Sequence, residues 1–175
     1  GSECIRWLTL EQVEAAFDSA VSSTCEGLVL LGGGKQSELF FALELPEDGS
    51  AAIQNKLGPL WKTGRDVLGS GKLFSKAEVA ITGQAMALLH WHQKNRYLGK
   101  TGRATKAIEA GAKRQEVEGK GRVYPRIDPC AIFAIISPDG ERLLLGKSAR
   151  FKKANRTGFY SCLAGFVEPG ERVEE

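Results

Sequence analysis

The sequence predicts an α+β chain, and three observations predict it. Two capping boxes, Thr9-Leu10-Glu11-Gln12 and Ser75-Lys76-Ala77-Glu78, each open a run with apolar residues at helical spacing. Two apolar runs of strand length, residues 27–31 and 39–45, flank a glycine turn. The last part of the chain is a series of short apolar runs separated by Pro and Gly turns.

The first capping box heads a helix with Val13, Phe17, Ala20 and Val21 on one face. The two apolar runs read as a hairpin joined across Gly32-Gly33-Gly34-Lys35. Those glycines do not form a phosphate loop. Such a loop needs Gly five residues before the Gly-Lys pair and Ser or Thr after it, where Val29 and Gln36 stand. Residues 46–50 and 58–71 read as turn-rich connections. The second capping box starts a helix with Ile81, Ala85, Leu88 and Leu89 on one side. His90 and His92 lie near its end. Two residues apart on a helix they point in nearly opposite directions, so packing or surface roles fit them better than a shared metal.

Next comes a basic, glycine-bearing stretch with Lys100, Arg103, Lys106, Lys113, Arg114, Lys120 and Arg122, interrupted by Glu109, Glu116 and Glu118. Aromatic interleaving for base stacking is missing, so it reads as a solvated basic face. Pro125 and Pro129 bracket an extended entry. Residues 131–136, 142–145 and 159–163 read as three strands. Ser137-Pro138-Asp139-Gly140 turns between the first two, and residues 149–158 form a basic loop before the third. Gly165 and Gly170 are read as permitting the tight backbone that follows.

Composition narrows the class. With 175 residues, 42% hydrophobic and 26% charged, the chain suits one ordinary globular domain or two small ones. The formal charge of +3 is too mild to argue for nucleic acid by itself and is compatible with a small anionic substrate. Cys4, Cys25, Cys130 and Cys162 form no C-x-x-C pair, and Cys130 and Cys162 in apolar runs read as small core residues. Unpaired thiols make an intracellular setting the default expectation. No apolar run approaches membrane-spanning length.

The chemistry is signalled at the end of the chain. Gly165, five residues, then Glu171 resembles the opening of a Nudix box, which in that family continues as R-E-U-x-E-E with U apolar. Tyr124-Pro125-Arg126-Ile127-Asp128-Pro129 and Leu163-Ala164-Gly165-Phe166-Val167-Glu168-Pro169-Gly170-Glu171, at this separation, resemble the NADH pyrophosphatase branch of the Nudix hydrolases. The resemblance reaches upstream through Ala87-Leu88-Leu89-His90-Trp91-His92, closely over the second half and loosely over the first.

That resemblance implies an architecture: an N-terminal domain over 1–95, a degenerate zinc-ribbon segment over 96–123, and the first part of a Nudix α/β/α sandwich over 124–175. The family's ribbon ligands match Leu98, Thr101, Glu116 and Gly119. One carboxylate and one hydroxyl cannot make a tetrahedral structural zinc site, so no zinc is expected. The segment is then left to hydrogen bonds and packing, or to looseness. The main carboxylates of the box fall beyond Glu175, and the helix that carries them would otherwise cover residues 131–136 and 159–163. Glu174 and Glu175 read as solvated first-turn acids.

The implied reaction is hydrolysis of the diphosphate of NADH or NAD⁺ to the mononucleotide and AMP, with Mg²⁺ or Mn²⁺. Tyr124 would border the dinucleotide pocket, the Ala164 backbone carbonyl would be a metal ligand, and Glu171 would brace the box helix. From the residues alone, Tyr124 could equally pack a junction, Ala164 could fill a tight crossing, and Glu171 could be a helix-start acid. Two readings follow: a hydrolase whose catalytic half lies beyond this sequence, or a non-catalytic dinucleotide-binding or dimerisation module. A homodimer is compatible with either. A membrane is not expected, and nucleic acid only as NAD-capped RNA. Cytoplasm, peroxisome, plastid and mitochondrion are equally compatible with the sequence.

Overall fold

The computed structural model describes residues 5, 7–17, 27–34, 38–44, 63–69, 73–147 and 160–174. Its mixed helices and antiparallel sheets make an α+β protein. The chain forms two compact units, Gly1–Pro125 and Arg126–Glu175.

In the first unit, α1 runs over Leu10–Phe17. Its box is formed reciprocally: the Gln12 amide donates to Thr9 Oγ1 (3.2 Å) and the Thr9 amide donates to Gln12 Oε1 (3.0 Å). Val13 is half-buried, while Ala20 and Val21 lie outside the described residues. The expected hairpin is present as β1 (Leu28–Gly33) antiparallel to β2 (Leu39–Leu43), with a register shift between Leu30 and Gly32. Trp7 packs on Phe40 with ring centroids 4.6 Å apart.

Residues 58–71 are not only a connection. They contain a short helix, α2, over Gly64–Gly69. It is opened by a reciprocal pair in which Asp66 N donates to Thr63 Oγ1 (3.2 Å) and Thr63 N donates to Asp66 Oδ2 (3.1 Å). The hydroxyl-x-x-acid spacing at Thr63 was the available signal, hidden among glycines of low helix propensity.

The long helix α3, Lys76–Lys94, starts at a complete capping box: Glu78 N donates to Ser75 Oγ (3.2 Å) and Ser75 N donates to Glu78 Oε2 (2.9 Å). The other carboxylate oxygen of Glu78 accepts the Ile5 amide (2.8 Å), tying the N-terminal segment to this helix start. These bonds favour the ionised form and hold the Glu78 carboxyl below its usual range. Ile81, Ala85, Leu88 and Leu89 are half-buried, as a helix face in contact with β1 and β2 requires.

Beyond α3 the strands β3 (Thr105–Ile108), β4 (Lys113–Glu116) and β5 (Arg122–Val123) form a three-stranded antiparallel sheet. Its 109–112 turn docks on β1: the Leu30 amide donates to Ala110 O (2.9 Å). At Gly111 the backbone is left-handed (φ +84°), and an added Cβ would stand 3.0 Å from Val29 Cα. Glycine meets both demands. Val29, 1% exposed, is the most buried apolar residue of this core.

The second unit is smaller. Strand β6 (Cys130–Phe133) pairs antiparallel with β7 (Leu163–Phe166). The expected strand 131–136 is therefore four residues long and starts at Cys130; Ile136 adds only an isolated bridge to Leu143. The expected strand 142–145 is reduced to that bridge and one between Gly146 and Ser161. The third runs later than expected, beginning at Leu163. The basic loop over 149–158 lies outside the described residues.

The 137–140 turn forms as expected. Gly140 N donates to Ser137 O (2.8 Å), and Gly140 is left-handed at φ +74°. Bonds from Ser137 Oγ and the Glu141 amide hold the Asp139 carboxyl low. Cys130 is exposed at the head of β6 rather than in a core, and Cys162 is half-buried. Cys4 and Cys25 lie outside the described residues. Among the described residues no helix is long and apolar enough to cross a membrane.

Candidate functional site

Leu98, Thr101, Glu116 and Gly119, the positions that the resemblance matches to ribbon ligands, come together at one end of the β3–β5 sheet. Thr101 Oγ1 donates to Glu116 Oε1 (2.6 Å), and the Gly121 amide donates to Glu116 Oε2 (3.2 Å). A Cβ on Gly119 would collide with that same Oε2, and one on Gly121 would lie 2.6 Å from Leu98 Cδ2. The Glu116 carboxylate thus fills the space among Leu98, Thr101 and the two glycines. It is 5% exposed, and the Thr101 hydroxyl holds its carboxyl below the usual range. The loop at Leu98 closes on itself through the Thr101 and Gly102 amides, both donating to Leu98 O (3.1 and 2.7 Å).

Next to this cluster lies a buried polar chain that sequence reasoning missed. Arg114 does not belong to a solvated basic face. It is 3% exposed, donating through Nε to Thr105 Oγ1 (2.8 Å), through Nη2 to Thr105 O (2.7 Å) and through Nη1 to His92 Nδ1 (3.0 Å). A guanidinium has only donors, so His92 Nδ1 must accept and the proton sits on Nε2. From there it is donated to Gly111 O (2.8 Å). Burial, with the adjacent Arg114 charge, pushes the His92 pKa down. His90 is exposed. The missed signal was alternation: Arg114 and Glu116 are two apart on β4, opposite Ala107 and Thr105.

Tyr124 follows β5 and is 57% exposed, with Lys113 Nζ 5.8 Å from its ring centroid. Ala164 lies in β7, paired with Ile132. Glu171 closes the turn after that strand: its amide donates to Glu168 O (3.0 Å) and its Oε2 accepts the Glu168 amide (2.9 Å). With Pro169 in second place and Gly170 left-handed at φ +90° in third, this is a type II turn. Gly165, by contrast, has no left-handed backbone and pairs with Ala131 in an ordinary ladder. Only Gly170 uses glycine's conformational freedom here. Glu174 is exposed, and Glu175 lies outside the described residues.

Tyr124 belongs to the first unit, whereas Ala164 and Glu171 belong to the second. Among the described residues no three His, Cys, Asp or Glu side chains cluster so as to hold a metal ion.

No family model matches the chain. Curated proteins do. It is 32% identical to Nudix hydrolase 19, chloroplastic, of Arabidopsis thaliana over 97% of this chain and 39% of the relative. It is 36% identical to a mitochondrial NAD(P)H pyrophosphatase of Homo sapiens over 96% of this chain and 47% of the relative. An NAD-capped RNA hydrolase of Homo sapiens is 39% identical over 56% of this chain and 22% of the relative. The chain spans less than half the length of each of these relatives. With both signature segments in place and such relatives matched along nearly all of it, the chain belongs to the Nudix hydrolase family, in its NADH pyrophosphatase branch.

Proposed function

We propose that the chain is part of a hydrolase that cleaves the diphosphate of NADH or NAD⁺ into nicotinamide mononucleotide and AMP. The observation that carries this reading is the match to an NAD(P)H pyrophosphatase over 96% of the chain. In the reaction, water adds to one phosphorus while the bridging oxygen leaves with the other nucleotide. Mg²⁺ or Mn²⁺, when bound, would neutralise the phosphate oxygens and acidify that water.

The chain's own residues have narrower roles in this reading. Tyr124 offers an exposed ring for a base of the dinucleotide, with Lys113 adding positive charge beside it. The Ala164 carbonyl is the one metal ligand assigned within this sequence. Glu171 braces the turn after β7 through the Glu168 amide, which supports a positioning role rather than that of a base. The Nudix motif places the carboxylates that hold the metal and activate water in its R-E-U-x-E-E segment. The matching divisions are an N-terminal domain over 1–95, a zinc-free ribbon over 96–123, and a Nudix sandwich from 124 onward. Since two relatives have chloroplastic and mitochondrial names, an organelle joins the cytoplasm as a compartment to test.

The test is AMP release from NADH with Mg²⁺ or Mn²⁺, for this chain beside a version extended through the rest of the box. Activity in the extended form alone is the expected result. Inactivity of both would favour a dinucleotide-binding or dimerisation module, and activity of the short chain would move the metal site into it.

A further inference from the structure

Three consecutive residues in the turn between β3 and β4 are left-handed: Glu109 and Ala110, each at φ +52°, and Gly111 at φ +84°. Glycine takes that conformation freely, but in the first two residues Cβ crowds the following carbonyl oxygen. Neither has the short polar side chain that eases the conformation in Asn or Asp. Such a run persists only where its surroundings hold it.

Three bonds do so here. Ala112 N donates to Glu109 O (3.0 Å), Leu30 N of β1 donates to Ala110 O (2.9 Å), and His92 Nε2 of α3 donates to Gly111 O (2.8 Å). Ala110 itself is exposed, so its side chain adds no buried contact to offset the strain. The turn is therefore held from outside, by one strand and one imidazole. Glu109 in turn pairs with Lys113, whose Nζ lies 5.8 Å from the Tyr124 ring centroid.

The imidazole is the part of this arrangement that a change of charge can move. A second proton on His92 lands on Nδ1, 3.0 Å from Arg114 Nη1, and sets donor against donor and cation against cation. Arg114 is fixed by its two bonds to Thr105, so the ring is the group that yields, and the Gly111 bond goes with it. Glu44, just after β2, favours the cation but is engaged by Gln93 (2.9 Å) and Arg96 (3.6 Å). β1 has no titratable side chain, and Glu109 in the turn is exposed and paired with Lys113.

We infer that the 109–112 turn is a strained latch fastening the three-stranded sheet to β1, and that protonation of His92 releases it. The latch is closed while His92 is neutral. As pH falls through the His92 titration, Glu109 and Ala110 relax to negative φ and the Glu109–Lys113 pair is freed with them. The inference stands on the fold of the first unit and not on the diphosphatase reading.

Native-state hydrogen exchange of the 175-residue chain tests it, read amide by amide at about pH 7 and about pH 5 and corrected for the intrinsic pH dependence of exchange. The amides of Leu30 and Ala112 report the latch, that of Val117 (bonded to Ala104 O) the sheet, and that of Val79 (bonded to Ser75 O) the helix. On acidification, protection at Leu30 and Ala112 should fall at least about threefold more than at Val117 and Val79, one proton permitting about tenfold per pH unit at most. A110G should raise protection at the two latch amides about threefold at either pH, glycine removing the strain while loosening the opened chain. H92Q, with no titratable group at this position, should abolish the pH-dependent difference whatever its effect on absolute protection. A uniform fall at all four amides would overturn the inference. So would a pH-dependent difference kept in H92Q, or protection lowered by A110G.

Discussion

The segment 96–123 and the second unit are built from strands of the same size, four residues or fewer, yet among the described residues only the first has buried side chains. In the former, Thr105, Arg114 and Glu116 are at most 5% exposed, on one face of the sheet. In the latter, Ile132 and Phe166 are 72% and 70% exposed although far more apolar. Residue type does not decide burial here; partners do. Each buried polar group of the segment is met by a fixed donor or acceptor, and no buried side-chain polar atom among the described residues lacks one. Such a network is stabilising only while complete. Strands β6 and β7 have their backbone ladder but nothing described over their apolar side chains.

The largest effect should come from opening that network. Arg114→Met retains much of the apolar stem but leaves Thr105 O and His92 Nδ1 without the guanidinium. A loss of about 3 kcal/mol is expected. Urea denaturation followed by tryptophan fluorescence would measure it, since Trp7, Trp61 and Trp91 all precede residue 126. A loss under about 1 kcal/mol would mean that packing, not hydrogen bonding, holds the segment.

Glycine gives a sharper contrast, because Gly111 and Gly140 share a left-handed backbone but not surroundings. An added Cβ at Gly111 would press on Val29, whereas at Gly140 nothing lies within 4 Å. Gly140→Ala should cost only the conformational strain, about 1–2 kcal/mol. Gly111→Ala should cost that plus overpacking of about 1–3 kcal/mol. Parallel denaturation curves, with circular dichroism as the probe for both units, would decide it. Equal losses would show that the 109–112 turn yields as freely as a surface turn.

What was legible in the sequence follows the range of the forces involved. The boxes at Thr9 and Ser75 were readable because the hydroxyl and its partner lie three residues apart, and both formed. The Ser137 turn and the β1–β2 hairpin were readable for the same local reason. Arg114 was not. Seven basic residues looked alike until strand register fixed which one turned inward, and register depends on pairing with distant residues. Leu98, Thr101, Glu116 and Gly119 were identified from resemblance, but the way Glu116 fills the space beside two glycines could be seen only in three dimensions. The later strands ran short because apolar runs mark strand interiors better than strand ends.

His92 extends the comparison to acid. Its folded pKa lies below the ordinary value of 6.5, so the unfolded chain binds the extra proton first. The stabilisation is therefore complete above pH 6.5 and is lost as pH falls through the window beneath it. The slope is at most about 1.4 kcal/mol per pH unit for one proton. The depressed carboxyls of Glu78 and Glu116 act in a separate, lower window, below their ordinary 4.5. Urea titrations between pH 7 and 5 should show a falling stability that flattens in His92→Gln. A slope unchanged by that substitution would assign the acid sensitivity to other groups.

The second unit should respond least in stability and most in association. At Ile132 and Phe166 the side chains already meet solvent, so Ile132→Lys with Phe166→Lys should each shift stability by no more than about 0.5 kcal/mol. Apolar side chains this exposed favour contact between copies of the chain, and two lysines on the β6–β7 hairpin would oppose it by charge. Sedimentation across a concentration series should show the unsubstituted chain associating and the doubly substituted chain staying at monomer mass. If both associate alike, the contact lies elsewhere, and the contrast between a closed polar interior and an open apolar surface loses its consequence. If the double variant instead unfolds, those side chains are load-carrying in a packing arrangement that their exposure denies.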